Sequence, residues 1–201
     1  MSAINERRER ERAHRHQLIV TAARELAEAE GWEAVTTRRL AERVEYSQPV
    51  LYSHFNGRDA IVSAVAMDGF CELAAQLRHA RQAAPAPEGE PDSDSGQALR
   101  AVGHAYLDFA TERPALYQAM FVLPTDLKFA STETPPQLRA CFDEFVNCFR
   151  PDNERRELFA EVTWSALHGM AVLSDSGRIP SDGQEARLDF LITRIVGTPA
   201  D

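Results

Sequence analysis

The chain has 201 residues, 44% of them apolar, with a net charge of −9 and three cysteines. This apolar share is enough for a hydrophobic core and excludes a wholly disordered chain. No run of eighteen apolar residues is present, so we expect no membrane span. The N-terminal sequence MSAINERRERERAHRH lacks the apolar stretch of a secretory signal. The odd cysteine number favours a reducing cytoplasm, and we expect Cys141 and Cys148 to be core residues.

The negative charge lies mainly in the second part of the chain. Residues 1–58 contain ten Arg and nine Glu, whereas residues 59–201 contain twelve basic and twenty-two acidic residues. An acidic protein can bind nucleic acid when only one end touches it. The net charge therefore does not exclude DNA as a partner.

Apolar residues recur with a helical period along the whole chain, and no segment shows the sustained alternation of a strand. Residues 85–96, rich in Pro, Ser and acidic residues, have the composition of a mobile surface loop. The sequence predicts an all-α fold of about nine helices. Their expected ranges are about 15–30, 37–44, 48–54, 58–84, 97–111, 113–122, 135–150, 153–174 and 184–196.

Local signals mark the ends of the first helices. Gly31 is expected to end the first helix in a left-handed conformation. Thr36 or Thr37 can cap the second helix, and Ser47 the third. Pro49 suits the first turn of the third helix, where a missing N–H costs nothing.

The stretch EYSQPVLYSHF, residues 45–55, combines apolar residues that suit a protein core with polar residues that can hydrogen-bond a ligand, on one short helix. Two short helices joined by about three residues form a helix-turn-helix, whose second helix enters the major groove of DNA by its N-terminal residues. Leu51 and Phe55, four apart, would form the buried face. On the other face, Gln48 can hydrogen-bond an adenine edge, and Pro49 or Val50 can contact a thymine methyl.

Other polar residues nearby suit DNA phosphates. Tyr52, His54 and the hydroxyls of Thr36 and Thr37 can bind phosphate oxygens. Arg58 would add its charge at the N-terminus of the long helix, where free N–H groups also favour an anion. The alternative interpretation is a surface turn of a helical bundle with incidental polar residues.

The segment TTRRLAERVEYSQPVLYSHFNGRDAI, residues 36–61, resembles the DNA-binding head of the tetracycline-repressor (TetR) family. The resemblance extends over about residues 15–62. It implies phosphate contacts from Thr37, Tyr52, His54 and Arg58, and base contacts from Arg38, Gln48, Pro49 and Val50. Two positions depart from the family: Glu45 replaces a usual Gly, and Ser53, also on the expected DNA surface, replaces an aromatic residue found in many relatives. The base preference of family members therefore does not transfer to this chain.

The N-terminal arm NERRERERAHRH allows two interpretations. Its arginines, at positions 7, 8, 10, 12 and 15, can lie along phosphates or enter a minor groove. The interleaved Glu6, Glu9 and Glu11 are instead typical of a solvated helix extension. The sequence leaves both open.

The second part of the chain carries weaker signals. The family resemblance implies a homodimer formed by the last two helices, about 153–174 and 184–196, although the same apolar residues would be ordinary core in a monomer. The segments RPALYQAMF and TWSALHGMAVL resemble a sensor domain named for its Trp-His-Gly signature, here Trp164, His168 and Gly169. Trp164 and His168 would share a helical face, either as packed core residues or beside an effector pocket. The candidate pocket residues are Tyr106, Phe109, Tyr117, Met120, Phe121, Phe145, Phe149, Trp164 and His168.

Together these features predict a DNA-binding domain with its arm at 1–60 and an effector-binding and dimerisation domain at 61–201. The expected function is a cytoplasmic, ligand-responsive repressor that binds double-stranded operator DNA and a small, largely apolar effector. We expect no required cofactor, no catalytic residues, no metal site and no membrane partner, since no G-x-S-x-G, P-loop, H-E-x-x-H or C-x-x-C motif is present. The alternatives are a helical interaction module without a DNA target and an enzyme.

Overall fold

The computed structural model describes residues 3–85, 92–129 and 131–197. Every regular element in this part of the chain is helical, which confirms the all-α prediction. Nine α-helices are present among the described residues, with one short 3₁₀ turn, Trp32–Ala34, after the first. The helices are α1 Ala3–Glu30, α2 Thr37–Arg43, α3 Gln48–His54, α4 Arg58–Ala83, α5 Asp92–Glu112, α6 Pro114–Phe121, α7 Pro136–Val146, α8 Arg156–Asp175 and α9 Gln184–Val196.

Two predicted boundaries differ from the structure by five residues or more. The first helix begins at Ala3 rather than near residue 15, so the N-terminal arm continues α1. The fifth helix begins at Asp92, inside the segment predicted as a loop. Residues 86–91 of that segment lie outside the described part of the chain.

The chain forms two compact units. The first contains the described residues up to Gly69 together with Arg113–Leu127, and the second contains the described residues between Phe70 and Glu112 and those from Lys128 onward. Helix α6 therefore packs with the head, although its sequence resembles part of the sensor domain. The functional division at residue 60 stays a prediction.

Helix α6 is held in the first unit by side chains of α1 and the 3₁₀ turn. The Glu28 carboxylate accepts hydrogen bonds from the backbone N–H groups of Ala115 and Leu116, at 3.2 and 3.0 Å. These are N–H groups of the first turn, which have no partner inside the helix and favour a negative charge. The buried Trp32 indole donates to the Ala115 carbonyl oxygen at 2.7 Å.

A glycine allows α4 and α6 to approach closely in the first unit. A Cβ atom on Gly69 would lie 2.6 Å from Met120 Sδ and 2.9 Å from Leu116 Cδ1. Such separations are far inside van der Waals contact, so a larger residue would displace α6.

The second unit packs α5 against α7, α8 and α9. The absence of a side chain at Gly103 lets Leu188 of α9 lie over α5, since a Cβ there would be 2.7 Å from Leu188 Cδ1. On α7, the buried Glu144 accepts hydrogen bonds from Arg78 Nε at 2.8 Å and Arg81 Nε at 3.0 Å. This arrangement pairs a carboxylate that would otherwise be costly to bury.

Cys141 and Cys148 are both buried, as predicted for core residues. Burial raises the pKa of each thiol to about 12. The Cys148 thiol donates to the Glu144 carbonyl oxygen at 3.2 Å. Both thiols therefore remain protonated and unreactive near neutral pH.

Helix α4 is the one helix in the described ranges with the length and apolar composition to cross a membrane. Half of its apolar stretch is buried inside the protein. Burial of this kind is also typical of the core helix of a water-soluble domain.

Candidate DNA-binding surface

Helix α3 separates its residues into a buried and an exposed side. Leu51 is 1% exposed and Phe55, directly after the helix, 5% exposed, which confirms that both anchor it in the core. Tyr52 is 55% exposed. Gln48, Pro49 and Ser53 are also exposed, while Val50 and His54 are partly buried. The helix thus presents to solvent four of its six side chains that were predicted to meet DNA, and the other two are partly accessible.

The turn between α2 and α3 is built around Glu45. The backbone φ of Glu45 is 57°, in the left-handed region that usually selects glycine. The Tyr46 N–H bonds to the Ala41 carbonyl oxygen at 3.0 Å, and the Glu45 N–H to Glu42 at 3.4 Å. This hydrogen-bond pair is a Schellman motif that ends α2. Glu45 therefore adopts the conformation expected of the family glycine, at a cost of ~1–2 kcal/mol.

The N-terminus of α2 presents two threonines and an arginine. Thr36 caps the helix, and its hydroxyl oxygen accepts the Arg39 N–H at 3.2 Å. Thr37 follows and is partly buried. Arg38 is exposed and bonds Glu42 one turn later at 3.0 Å. That surface pair is weak, so Arg38 can exchange it for a DNA contact.

The other α2 arginines have structural partners that sequence reasoning missed. Arg39 binds both carboxylate oxygens of Glu30 at 2.9 and 2.8 Å, and Arg43 binds Glu25 at 3.0 Å. The partners lie nine and eighteen residues earlier in the chain, on α1. No local spacing rule indicates pairs at these separations.

Arg58 has a second role besides its predicted charge contact. Its Nε donates to the Val35 carbonyl oxygen at 3.2 Å, and its Nη2 donates to the Trp32 backbone carbonyl oxygen at 2.9 Å. These bonds hold the end of the 3₁₀ turn, directly before Thr36. Since a guanidinium has five N–H donors, other N–H groups can still bind a phosphate.

His54 lies beside basic residues of α1. Burial lowers its pKa, and the positive charges of Arg12, His16 and Arg15 lower it further. The His16 ring stacks on Phe55 with centroids 4.4 Å apart. His54 is therefore mainly neutral at pH 7 in the free protein.

Comparison with known proteins decides the family. A sequence model described as "Bacterial regulatory proteins, tetR family" matches residues 19–65, and one for the "Tetracyclin repressor-like, C-terminal domain" matches residues 99–195. The chain belongs to the TetR family. The N-terminal match of this TetR-family protein contains all of α2 and α3, so the helix-turn-helix observed here is the family's DNA-binding motif.

Individual relatives agree with this assignment. The chain is 36% identical over 102 residues to an uncharacterised HTH-type transcriptional regulator, YobS, of Bacillus subtilis, a stretch that covers 51% of this chain and 49% of that protein. It is 46% identical over 48 residues to the class C tetracycline repressor of Escherichia coli, covering 24% and 22% of the two chains. The chain thus spans about half or less of these relatives' length.

A solved structure shares the whole fold. A single-residue variant of TetR from Acinetobacter baumannii, in complex with minocycline, superposes with a TM-score of 0.59 and 19% sequence identity, over 92% of its own chain and 89% of this one. At this identity the likeness concerns the fold alone.

The candidate effector-binding residues of this TetR-family protein do not all lie in one unit. Tyr117, Met120 and Phe121 belong to α6, in the first unit. The other six belong to the second unit: Tyr106, Phe109, Phe145, Phe149, Trp164 and His168. Four of these six are buried, while Trp164 and His168 are partly exposed.

Trp164 takes part in an aromatic cluster of the second unit. Its indole Nε1 donates to the Tyr106 hydroxyl at 3.1 Å, and its ring meets Phe142 edge to face at 6.2 Å. Tyr106 in turn packs edge to face on Phe145. Burial lowers the pKa of His168, one turn after Trp164. This cluster is mainly apolar and contains few polar groups.

Proposed function

We propose that this protein is a homodimeric transcriptional repressor that binds a two-fold operator through α3 and is released by a small, largely apolar effector. The observation that carries the proposal is the division of α3, with Leu51 and Phe55 buried and Gln48 and Tyr52 exposed. A helix with one buried and one exposed side can pack on the head and at the same time contact bases in the major groove of DNA.

Base contacts come from the N-terminal half of α3 and from α2. Gln48 makes the bidentate contact to adenine, and Pro49 and Val50 contact thymine methyl groups. Arg38 reaches a base edge from α2. The phosphate contacts come from Thr36, Thr37, Tyr52, Ser53, His54 and Arg58. These contacts orient α3 in the groove and carry no sequence information themselves.

Dimerisation uses α8 and α9. Leu158 and Val162 are each 48% exposed on α8, and Leu173 is also exposed. Gly169 lies on the same side of the helix, by its helical spacing, and a Cβ there would meet nothing within 4 Å. On α9, Phe190 is 63% exposed and stacks against Arg194. A second copy of the chain would cover these exposed apolar side chains.

The effector site is drawn from the second-unit aromatic cluster around Tyr106, Trp164 and His168. An effector acts only if it binds the DNA-free state better than the DNA-bound state. Binding would then misplace the two reading helices on the operator. The chain needs no cofactor or catalytic group for this activity, and it acts in the cytoplasm.

Fluorescence anisotropy with a labelled duplex from upstream of the protein's own operon tests the proposal. We expect salt-dependent binding that an unlabelled specific duplex displaces well before a scrambled duplex of equal length. Gln48→Ala should reduce this preference by relaxing selection at one base pair, and should retain non-specific binding. Absence of binding to any duplex at low salt, with a folded dimer in solution, would favour the interaction-module alternative.

A hydrophobic-ligand screen tests the effector. The chain has two tryptophans, so a Trp32→Phe variant retains Trp164 as its only tryptophan. We expect an effector to change Trp164 emission, raise the melting temperature and weaken operator binding together. A compound that changes emission without changing DNA affinity would contradict the assigned role of the cluster.

A further inference from the structure

The three-helix head has no net positive charge of its own to attract DNA. Residues 17–58 contain five Arg and six Glu. Three of these arginines, Arg38, Arg39 and Arg43, are paired with glutamates, and Arg58 is bonded to backbone carbonyls. Non-specific attraction to DNA requires uncompensated cations that displace counterions. A net positive charge must therefore come from another part of the first unit, in addition to the individual contacts proposed for Arg38 and Arg58.

The N-terminal part of α1 supplies it. Residues 3–16 contain five Arg and three Glu. Arg7 bonds Glu11 at 2.8 Å, which neutralises one pair. Arg8 and Arg15 are exposed and form no hydrogen bond or ion pair in the described part of the chain. These guanidinium groups are therefore available to phosphates.

The arginines of this segment are not distributed evenly around the helix. At ~100° per residue, Arg8, Arg12 and Arg15 fall within a sector of about 60°. The buried Ile19 and Leu26 share this sector further along α1. None of the three glutamates of the segment falls within it. One face of α1 thus changes from apolar to basic where the helix passes beyond the head core.

This basic face meets the end of the reading helix. Arg12 Nη2 lies 3.5 Å from the Ser53 carbonyl oxygen, and His16 stacks on Phe55. The face therefore continues the exposed surface of α3 at its C-terminal end, beside His54.

We infer that Arg8, Arg12 and Arg15 form a phosphate-binding strip that extends the DNA contact of each protomer past the end of α3. The inference rests on the proposed function and decides between the two interpretations of the arm. The strip contributes affinity and salt dependence but no base preference, because it would contact phosphates only.

The matched pair Arg8→Gln and Arg10→Gln tests the strip. Both variants remove one positive charge from the same exposed helix, but Arg10 lies on the opposite side of α1. Operator affinity would be measured from ~50 to 300 mM salt in the full-length dimer. We expect Arg8→Gln to lower the magnitude of the salt slope by about 0.9 for each phosphate that the variant no longer binds, and Arg10→Gln to leave it unchanged.

A triple variant, Arg8→Gln with Arg12→Gln and Arg15→Gln, enlarges the effect. We expect at least a tenfold loss of affinity for operator and scrambled duplex alike, with an unchanged ratio between them. Circular dichroism and thermal unfolding would verify that α1 remains helical. Arg12→Gln alone separates DNA binding from a structural role at Ser53, because a structural role would lower the melting temperature without changing the salt slope.

Three outcomes would overturn the inference. Equal losses from Arg8→Gln and Arg10→Gln would show that only the total charge of the arm matters. An unchanged slope in the triple variant, with wild-type protein binding normally, would remove the strip but leave the proposed function intact. Failure of the wild-type protein to bind any duplex would overturn both.

Discussion

The Trp32 indole donates a 2.7 Å hydrogen bond to the Ala115 carbonyl oxygen, across 83 residues of sequence. The Glu28 carboxylate accepts hydrogen bonds from the N–H groups of Ala115 and Leu116. Two side chains of the head thus hold the first turn of α6. We expect Trp32→Phe to remove this hydrogen bond and part of a buried ring, and to lower the free energy of unfolding by ~1–3 kcal/mol. Denaturant unfolding measures this loss, and an unchanged midpoint would show that the bond contributes nothing.

Glu45→Gly should stabilise the protein. Glycine relieves the left-handed strain, a gain of ~1–2 kcal/mol, but increases the entropy of the unfolded chain by ~0.5–1 kcal/mol. The expected net gain is up to about 1.5 kcal/mol in chemical denaturation. Glu45→Ala serves as the control, because it removes the charge and keeps the strain. A destabilised glycine variant would contradict the strain assigned to this turn.

Arg58 and Gln48 should give different DNA-binding defects. Arg58→Ala removes a charge and two hydrogen bonds to backbone carbonyls, so we expect uniform loss of affinity, a salt slope smaller by about one unit, and lower stability. Arg58→Lys should retain the charge but not the two-carbonyl geometry. Gln48→Ala should cost ~1–3 kcal/mol at one base pair only.

Competition against a panel of single-base operator variants separates these defects. If Gln48→Ala weakens every duplex equally, the base contact assigned to Gln48 is wrong. Thermal unfolding of Arg58→Ala and Arg58→Lys then separates a loss of stability from a weaker interaction with phosphate.

Val162→Asp should convert the dimer to a folded monomer. Val162 is 48% exposed in the single chain, so a carboxylate there stays solvated in the monomer but would be buried in a dimer interface. Light scattering should show halved mass and circular dichroism an unchanged spectrum. Val122→Asp, at another exposed apolar site, is the matched control. A dimeric Val162→Asp protein would exclude this part of α8 from the interface.

His54 should make stability and DNA affinity respond to pH in opposite directions. Its pKa is lowered in the folded protein by burial and by the charges of Arg12, His16 and Arg15, so the unfolded chain binds the proton more readily. Stability therefore falls as pH decreases through the unfolded pKa of about 6.5. A neighbouring DNA phosphate would favour protonation of His54. Operator affinity should therefore rise as the pH decreases over the same range.

His54→Gln should flatten this part of the pH dependence of both quantities. His168, whose pKa is lowered by burial, retains its own contribution to acid destabilisation. An operator affinity that keeps its full pH response in His54→Gln would exclude a phosphate contact at this position.

Much of the head could be predicted from local patterns. The apolar spacing, the Thr36 cap and Pro49 in the first turn of α3 act within one or two helical turns. The 48–54 and 184–196 helices therefore occur where the pattern indicates. The two sides of α3 also follow from spacing alone, because Leu51 and Phe55 are one turn apart.

Tertiary structure decided which charges remain for DNA. Arg38, Arg39 and Arg43 look alike in sequence, yet Arg39 and Arg43 bind glutamates of α1, whereas Arg38 binds Glu42 of its own helix. Arg58 bonds carbonyls 23 and 26 residues away. The direction of the basic face of α1 also depends on where α1 meets Ser53. Helix formation is governed by neighbours in sequence, whereas charge pairing is governed by neighbours in space, which only the packed chain defines.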